Sequence, residues 1–88
     1  HFHDCQSWNY YSIIVTIIFM VKDIKKKLGN NIRKLRKQRG FSQEELSLNL
    51  DLDGSYIGKV ENGKLNITID KISAIAQFLN VEIIELFK

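Results

Sequence analysis

The sequence predicts an all-α fold, a compact bundle of five helices in a single domain. Apolar residues recur every three or four positions from residue 22 to residue 88, which is the period of helices with one buried face. The 88 residues include no proline, so long helices are not interrupted. Since domains run to about 50–200 residues, this chain makes one domain with a small core.

The first 21 residues differ from the rest, and we treat 1–21 as an apolar leader of uncertain structure and 22–88 as the helical domain. The run from Ile13 to Val21 is β-prone and is interrupted only by Thr16. It is short for a membrane span, which needs about 20 apolar residues. Three interpretations stay open. The preferred one is a non-essential leader that ends before Met20, the second is a membrane anchor in which residues 8–21 contact lipid, and the third is an added β-strand for dimerisation.

The first two predicted helices follow from periodicity and from end signals. The first spans roughly Val21 to Arg39, and Gly40 ends it, as glycine commonly does. Its inward stripe is Ile24, Leu28, Ile32 and Leu35. The second begins at Ser42, and Glu45 three residues later completes a capping box. Its inward residues are Leu46 and Leu50.

A tight turn and three further helices complete the domain. Asp51 takes the left-handed conformation in the turn that usually needs glycine. Asp53 is predicted to cap the third helix and Thr68 the fourth, with Asp70 in the first turn of the fourth. The inward residues of the third are Tyr56, Ile57 and Val60, and those of the fourth are Ile69, Ile72, Ile75, Ala76 and Leu79. Asn80 ends the fourth helix, and a short fifth runs from Glu82 to Phe87.

The second helix, the turn and the third helix form a two-helix unit from Gln43 to Asn62. Leu52 is expected to plug its corner, and Ser47 is small where the two helices must approach. The outer face of the third helix carries small or polar residues, namely Gly54, Ser55, Gly58 and Lys59. A helix with such a face can enter the major groove of DNA.

The positive charge is concentrated in one stretch. Nine of the thirteen Lys and Arg residues lie between residues 22 and 39, where Asp23 is the one acid. Such a surface favours an anionic partner, either nucleic acid or a membrane surface. On charge alone, a merely solvated helix face has equal weight.

Residues 28–88 resemble the Cro and phage-repressor type of helix-turn-helix, the XRE family of regulators. The resemblance rests on IRKLRKQRGFSQEEL (32–46), DGSYIGKVENGK (53–64) and the ending NVEIIELF (80–87). It implies a lambda-repressor-like domain that binds double-stranded DNA as a small transcriptional repressor or autoregulator. It also implies a homodimer through the C-terminal helix, with Val81, Ile83, Ile84 and Phe87 as the candidate surface.

The resemblance also assigns roles to single residues. Gln43 matches a position that contacts a phosphate or supports a base contact, and Ser55 and Lys59 match base-reading positions. The same face carries Gly54, Tyr56 and Gly58, with Tyr56 divided between packing and a phosphate contact. The loop residues that would hold the phosphate backbone are Asn62, Lys64 and Asn66. Arg36 and Glu61 match a buried ion pair with a structural role.

Three departures from the family pattern bear on recognition. Gly54 stands where a polar side chain often contacts a base, so base readout should lean on Ser55, Lys59 and DNA shape. Asp51 replaces the usual glycine in the turn. Leu65 and Ile67 replace residues that are often basic or proline, and Leu65 is open between a surface and a dimer role.

The alternative function is a protein-interaction module with the same fold, such as an antitoxin or a membrane-tethered adaptor. No pairing of a nucleophile with a base appears, so an enzyme is not expected, nor is any cofactor. A metal site at His1, His3, Asp4 and Cys5 has far less weight than an unstructured end. The same holds for a nucleic-acid stacking platform at Trp8, Tyr10 and Tyr11. A lone cysteine forms no internal disulfide, so a cytoplasmic location is expected.

Overall fold

The computed structural model describes residues 9–88, which form four α-helices and a C-terminal 3₁₀ helix. The α-helices are α1 (Tyr10–Gln38), α2 (Gln43–Asn49), α3 (Tyr56–Glu61) and α4 (Ile69–Phe78), and the 3₁₀ helix is Ile83–Phe87. Residues 9–88 contain no β-strand. The all-α prediction is therefore confirmed, with one difference: the last of the five helices is a 3₁₀ helix rather than an α-helix.

The first helix is longer than predicted, because it begins at Tyr10 rather than near Val21. Asn9 caps it: its Oδ1 accepts a hydrogen bond from the Ser12 N–H at 2.8 Å. One helix thus runs through the boundary that we placed between residues 21 and 22, and the β-strand interpretation is wrong for residues 10–21. Across residues 9–88, no helix combines the length and the apolar content that crossing a membrane requires.

The core lies where all five helices meet. Each contributes at least one fully shielded side chain: Ile32 from α1, Leu46 from α2, Ile57 from α3, Ile75 from α4 and Leu86 from the 3₁₀ helix. Asn31 of α1 and Arg39, which follows the end of α1, bond the backbone of the last two helical segments. Asn31 Nδ2 donates to the Leu86 carbonyl at 2.8 Å, and Arg39 Nε donates to the Leu79 carbonyl at 2.9 Å.

Three residues predicted to face inward do not. Ile24 is 51% exposed, since it lies one turn outside the part of α1 that crosses the core, which begins at Leu28. Ile69 is 69% exposed, because it is the first residue of α4 and projects beyond the packed face. Leu52, expected to plug the corner, is only half-buried, and Ser47 is fully buried there instead.

Local end signals act largely as predicted. Ser42 and Glu45 form the reciprocal capping box, and the Thr68 hydroxyl accepts from the Lys71 N–H at 3.3 Å. Asp51 and Asn80 both adopt positive φ, of 61° and 58°. The prediction that Asp53 caps α3 is wrong. The helix begins at Tyr56, and the Asp53 carboxylate accepts from the Ser55 N–H in the preceding turn.

The capping box makes the stability of the fold depend on pH through Glu45. Hydrogen bonding to the backbone N–H of Ser42, and secondarily to its hydroxyl, lowers the pKa of Glu45 below its ordinary value of 4.5. Its contribution is therefore present above that value and is lost as the pH falls through the lowered pKa. We expect the wild type to be more stable than Glu45→Gln in urea unfolding at pH 7, and the difference to shrink as the pH falls below 4.5 and through the lowered pKa. A difference that stays constant over this range would contradict the prediction.

Candidate nucleic-acid interface

The corner between α2 and α3 is held by one buried hydroxyl. Ser47 Oγ donates to the Gln43 carbonyl at 2.8 Å and accepts from the Ile57 N–H at 3.0 Å. The same hydroxyl thus bonds the backbone of both helices, and only a small side chain permits their approach. The Leu52 N–H also donates to the Ser47 carbonyl, at 2.9 Å. This corner sets the angle at which α3 leaves the core.

An ion pair behind α3 joins it to α1 and to α2. Arg36 Nε and Nη2 donate to Glu61 Oε2 and Oε1 at 2.6 and 3.2 Å, and both side chains are buried. The remaining nitrogen of the guanidinium group, Nη1, donates to the Phe41 carbonyl at 2.8 Å. Gln43 Nε2 donates to Glu61 Oε1 at 2.9 Å, so the pair also orients the first side chain of α2.

Two glycines keep the surface beside these side chains open. A Cβ at Gly58 would lie 3.0 Å from Gln43 Oε1, so any larger residue would push Gln43 aside. A Cβ at Gly54 would lie 3.4 Å from Glu44 Cγ, an ordinary contact with a flexible side chain. Gly58 thus makes room for Gln43, whereas Gly54 has no comparable requirement.

Ser55 and Lys59 stand on the exposed side of this unit but in different settings. Ser55 precedes α3, and its hydroxyl donates to Asp53 Oδ2 at 2.5 Å. That bond is the main reason why the pKa of Asp53 lies below its ordinary value, with the charge of Lys59 a smaller contribution. Lys59 itself lies within α3 and is exposed. The Asp53 carboxylate therefore bonds Ser55 and also attracts the charge of Lys59 more weakly.

Tyr56 is half-buried and packs against the core. Lys71 Nζ lies 5.1 Å from the centre of its ring, within the range of a cation–π contact. The Tyr56 hydroxyl is protonated at neutral pH and can donate a hydrogen bond, and burial raises its pKa further above the ordinary value of 10.0.

The loop after α3 exposes Asn62, Lys64 and Asn66, the three residues expected to hold phosphates. Gly63 gives the loop its turn, with a φ of +70°. A Cβ at this position would lie 3.9 Å from the backbone of Lys25 and of Lys26, so the loop passes close to α1 here. Leu65 is half-buried and packs against the core, a role that neither of its two predicted assignments, surface residue or dimer contact, included.

Lys25 is a candidate site residue that the sequence did not reveal. Its Nζ donates to Asn66 Oδ1 at 2.5 Å, which adds an α1 ammonium group to the loop. The two residues are 41 positions apart, so no local pattern signals the contact. A bound phosphate at Asn66 would therefore also meet the charge of Lys25.

Gly29 is the second residue that sequence reasoning missed. It is buried where α1 crosses the end of α3, and a Cβ there would lie 2.6 Å from the Glu61 carbonyl oxygen and 2.7 Å from that of Val60. Since both neighbours are backbone atoms, α3 can approach α1 this closely only because residue 29 has no side chain.

The proposed metal ligands at His1, His3, Asp4 and Cys5, and Trp8 of the stacking alternative, lie outside the described residues. Within residues 9–88, no three His, Cys, Asp or Glu side chains come together in a way that could hold a metal ion. Tyr10 and Tyr11 are exposed and meet edge to face, with their ring centres 6.0 Å apart.

Comparison with known proteins points to one group. Residues 32–86 match the family model described as helix-turn-helix. Over 68 residues the chain is 38% identical to the control protein C.MunI of a Mycoplasma species, covering 76% of this chain and 92% of that protein. The crystal structure of the restriction-modification controller protein C.AhdI from Aeromonas hydrophila is 41% identical, with a TM-score of 0.68 over 72% of this chain and 96% of that one. The hypothetical transcription factor NHTF from Neisseria has a TM-score of 0.73 at 34% identity, over 77% of this chain and 78% of that one.

Proposed function

Because this chain belongs to the XRE-type helix-turn-helix family and is a DNA-binding regulator, we propose that it controls its own gene and neighbouring restriction-modification genes. It would do so as a homodimer on a two-fold-related operator in the cytoplasm, with no catalytic step. The proposal rests on one combination of observations. Buried contacts hold the α2–α3 corner in place, and relatives of this chain are named control proteins.

In the proposed complex, α3 lies in the major groove, with Lys59 as the main base reader. Ser55 contributes less, since Asp53 already takes its hydroxyl. Gln43, held by Glu61 at the start of α2, bonds a phosphate through its amide group. The 62–66 loop binds the next phosphates with Lys64 and Asn66, and Lys25 adds its charge there.

The proposed dimer surface is the C-terminal 3₁₀ helix. Ile83 and Ile84 are exposed, while Val81 and Phe87 are half-buried and pack against the core. The first pair is therefore available to a second copy, whereas the second pair mainly supports the fold. Two recognition helices related in this way would meet half-sites about 34 Å apart.

The test of the proposal is binding of the full chain to the DNA upstream of its own gene and to scrambled DNA, each at two salt concentrations. We expect a preference for the upstream DNA of about 10³-fold or more, with two chains per site. Equal and steeply salt-dependent binding to both DNAs would leave only a basic surface and overturn the proposal.

Lys59→Ala is expected to weaken binding to the operator by about 1–3 kcal/mol, because a base contact is lost. Binding to scrambled DNA should fall much less, since the proposed phosphate contacts remain. Titration of both DNAs by fluorescence anisotropy gives the two losses. Equal losses would show that Lys59 does not read a base.

Lys64→Ala is expected to weaken binding to both DNAs alike. It should also reduce the magnitude of the salt slope, the slope of log K against log salt concentration, by about 1, as loss of one phosphate contact requires. Lys34→Ala is the matched control, because Lys34 is exposed on α1 beside Glu82 and Glu85, away from the 62–66 loop. If Lys64→Ala and Lys34→Ala gave the same salt slope, Lys64 would not contact a phosphate.

A further inference from the structure

The N-terminal part of α1 projects beyond the core, and among the described residues only Val21, at its inner end, borders a cavity that Ile69 and Phe87 also line. We call residues 10–21 the N-terminal arm; at 1.5 Å per residue it is about 18 Å long. Every apolar side chain in it is exposed, including Phe19 at 64%, whereas the first buried residue of α1 is Leu28. A helix with so much apolar surface is unfavourable in water unless something covers it.

The apolar surface of the arm is too broad for a single partner helix. Ser12, Thr16 and Asp23 are four and seven residues apart, so they share one narrow side of the helix. The rest of the circumference carries isoleucine, valine, methionine and aromatic residues. A partner in a two-stranded coiled coil covers one stripe, two residues in seven, and would leave most of this surface in water.

One side-chain hydroxyl and one backbone N–H of the arm are paired locally. The Thr16 hydroxyl donates to the Ser12 carbonyl at 2.9 Å, and Asn9 caps the first turn. Such pairing lowers the cost of moving these two groups out of bulk water to a lipid interface.

A lysine cluster follows the arm directly. It consists of Lys22, Lys25, Lys26 and Lys27, with Asp23 as the one acid among them. Lys22, Lys26 and Lys27 are exposed. Basic residues beside an apolar helical face favour the headgroups of anionic lipids, and tyrosines such as Tyr10 and Tyr11 favour the same interfacial depth.

We propose that the N-terminal arm binds an anionic lipid surface. It lies in the plane of the interface, with its apolar side among the acyl chains and the Ser12–Thr16–Asp23 side toward water. The lysine cluster at one end and the tyrosine pair at the other lie at headgroup level. The arm itself is separate from the proposed DNA site, because it contributes no residue to the core or to the α2–α3 corner; within the lysine cluster, Lys25 also bonds Asn66 of the 62–66 loop.

The test is co-sedimentation of the full chain with vesicles of phosphatidylcholine alone and of phosphatidylcholine mixed with phosphatidylglycerol. We expect binding to the mixed vesicles to exceed binding to the neutral ones. The double variant Ile17→Asp/Ile18→Asp should lose at least about tenfold in partition, since each carboxylate opposes insertion. Both residues are exposed and outside the core, so the variants should fold and keep wild-type DNA affinity.

A second pair of variants tests the lysine cluster. Lys22→Gln and Lys26→Gln should each reduce partition into the anionic vesicles by about fivefold and leave neutral vesicles unaffected. Lys34→Gln and Lys37→Gln are the matched controls, because they remove the same charge from exposed positions farther along α1. They should cause no comparable loss.

Three results would overturn the proposal. One is equal, weak binding to both kinds of vesicle. The second is binding that survives Ile17→Asp/Ile18→Asp, which would attribute it to the basic surface alone. The third is an oligomer that this double variant dissociates in sedimentation equilibrium while vesicles are not bound, which would make a second copy the occupant of the arm.

Discussion

Arg36→Met is expected to lower the free energy of unfolding by about 3–5 kcal/mol, measured by urea denaturation. The substitution leaves Glu61 buried without the two charge-assisted bonds that it accepts at 2.6 and 3.2 Å, and Gln43 alone cannot replace them. It also removes the donor to the Phe41 carbonyl at the end of α1. Methionine keeps much of the apolar volume, so the loss reports the buried charge rather than a cavity.

Two comparisons make this result decisive. Adding Glu61→Met to Arg36→Met should recover part of the loss, since a buried pair replaced by apolar residues is often neutral. Lys88→Met breaks the exposed Lys88–Glu85 pair, with Nζ and Oε1 at 3.2 Å, and should cost less than about 1 kcal/mol. If Arg36→Met costs no more than Lys88→Met, the pair is not a stabilising element of the corner.

Gln43 connects this stability to recognition. Its amide bonds Glu61 from the start of α2, so losing the ion pair should also release Gln43. In conditions where Arg36→Met is still folded, we therefore expect weaker DNA binding than stability alone explains. The buried pair thus acts as a positioning element for a residue proposed to meet DNA.

The elements that local chemistry determines could be predicted from the sequence. Ser42 with Glu45, and Thr68 with its helix, bond over three residues, so the pattern contains both partners. The left-handed turn at Asp51 also depends on one residue and its neighbours. The Asp53 cap was wrong even though it concerned local chemistry, because the Asp53 carboxylate bonds Ser55 in the turn and α3 begins only at Tyr56.

The elements that depend on distant contacts could not be predicted. Ile24 and Ile69 fit the helical period, but their helices extend past the core at those points, and periodicity does not show where packing stops. The start of α1 was missed because the β-branched residues of the arm favour strand, whereas the Asn9 cap and continuity with a long helix decide otherwise. The Lys25–Asn66 contact likewise needs the assembled fold.

Gly29→Ala is expected to destabilise the fold by about 3 kcal/mol or more, although replacing glycine by alanine inside a helix usually stabilises a protein. In an exposed helix interior the same change would stabilise by about 0.5–1 kcal/mol, because alanine is the better helix former. Here the new Cβ would lie 2.6 and 2.7 Å from two carbonyl oxygens of α3, closer than such atoms can approach. Both oxygens belong to the backbone of α3 and cannot turn away without distorting that helix, so α1 and α3 must move apart.

Gly54→Ala is the matched control for this prediction, since its Cβ would meet only the flexible Glu44 side chain, at 3.4 Å. It should change stability by less than about 1 kcal/mol in the same thermal and urea unfolding experiments. Separation of α1 from α3 would also move the 62–66 loop away from Lys25, so DNA affinity should fall in Gly29→Ala even where the protein is folded. A Gly29→Ala protein as stable as the wild type would mean that α1 and α3 do not cross this closely. The proposed position of α3 relative to DNA would then be wrong.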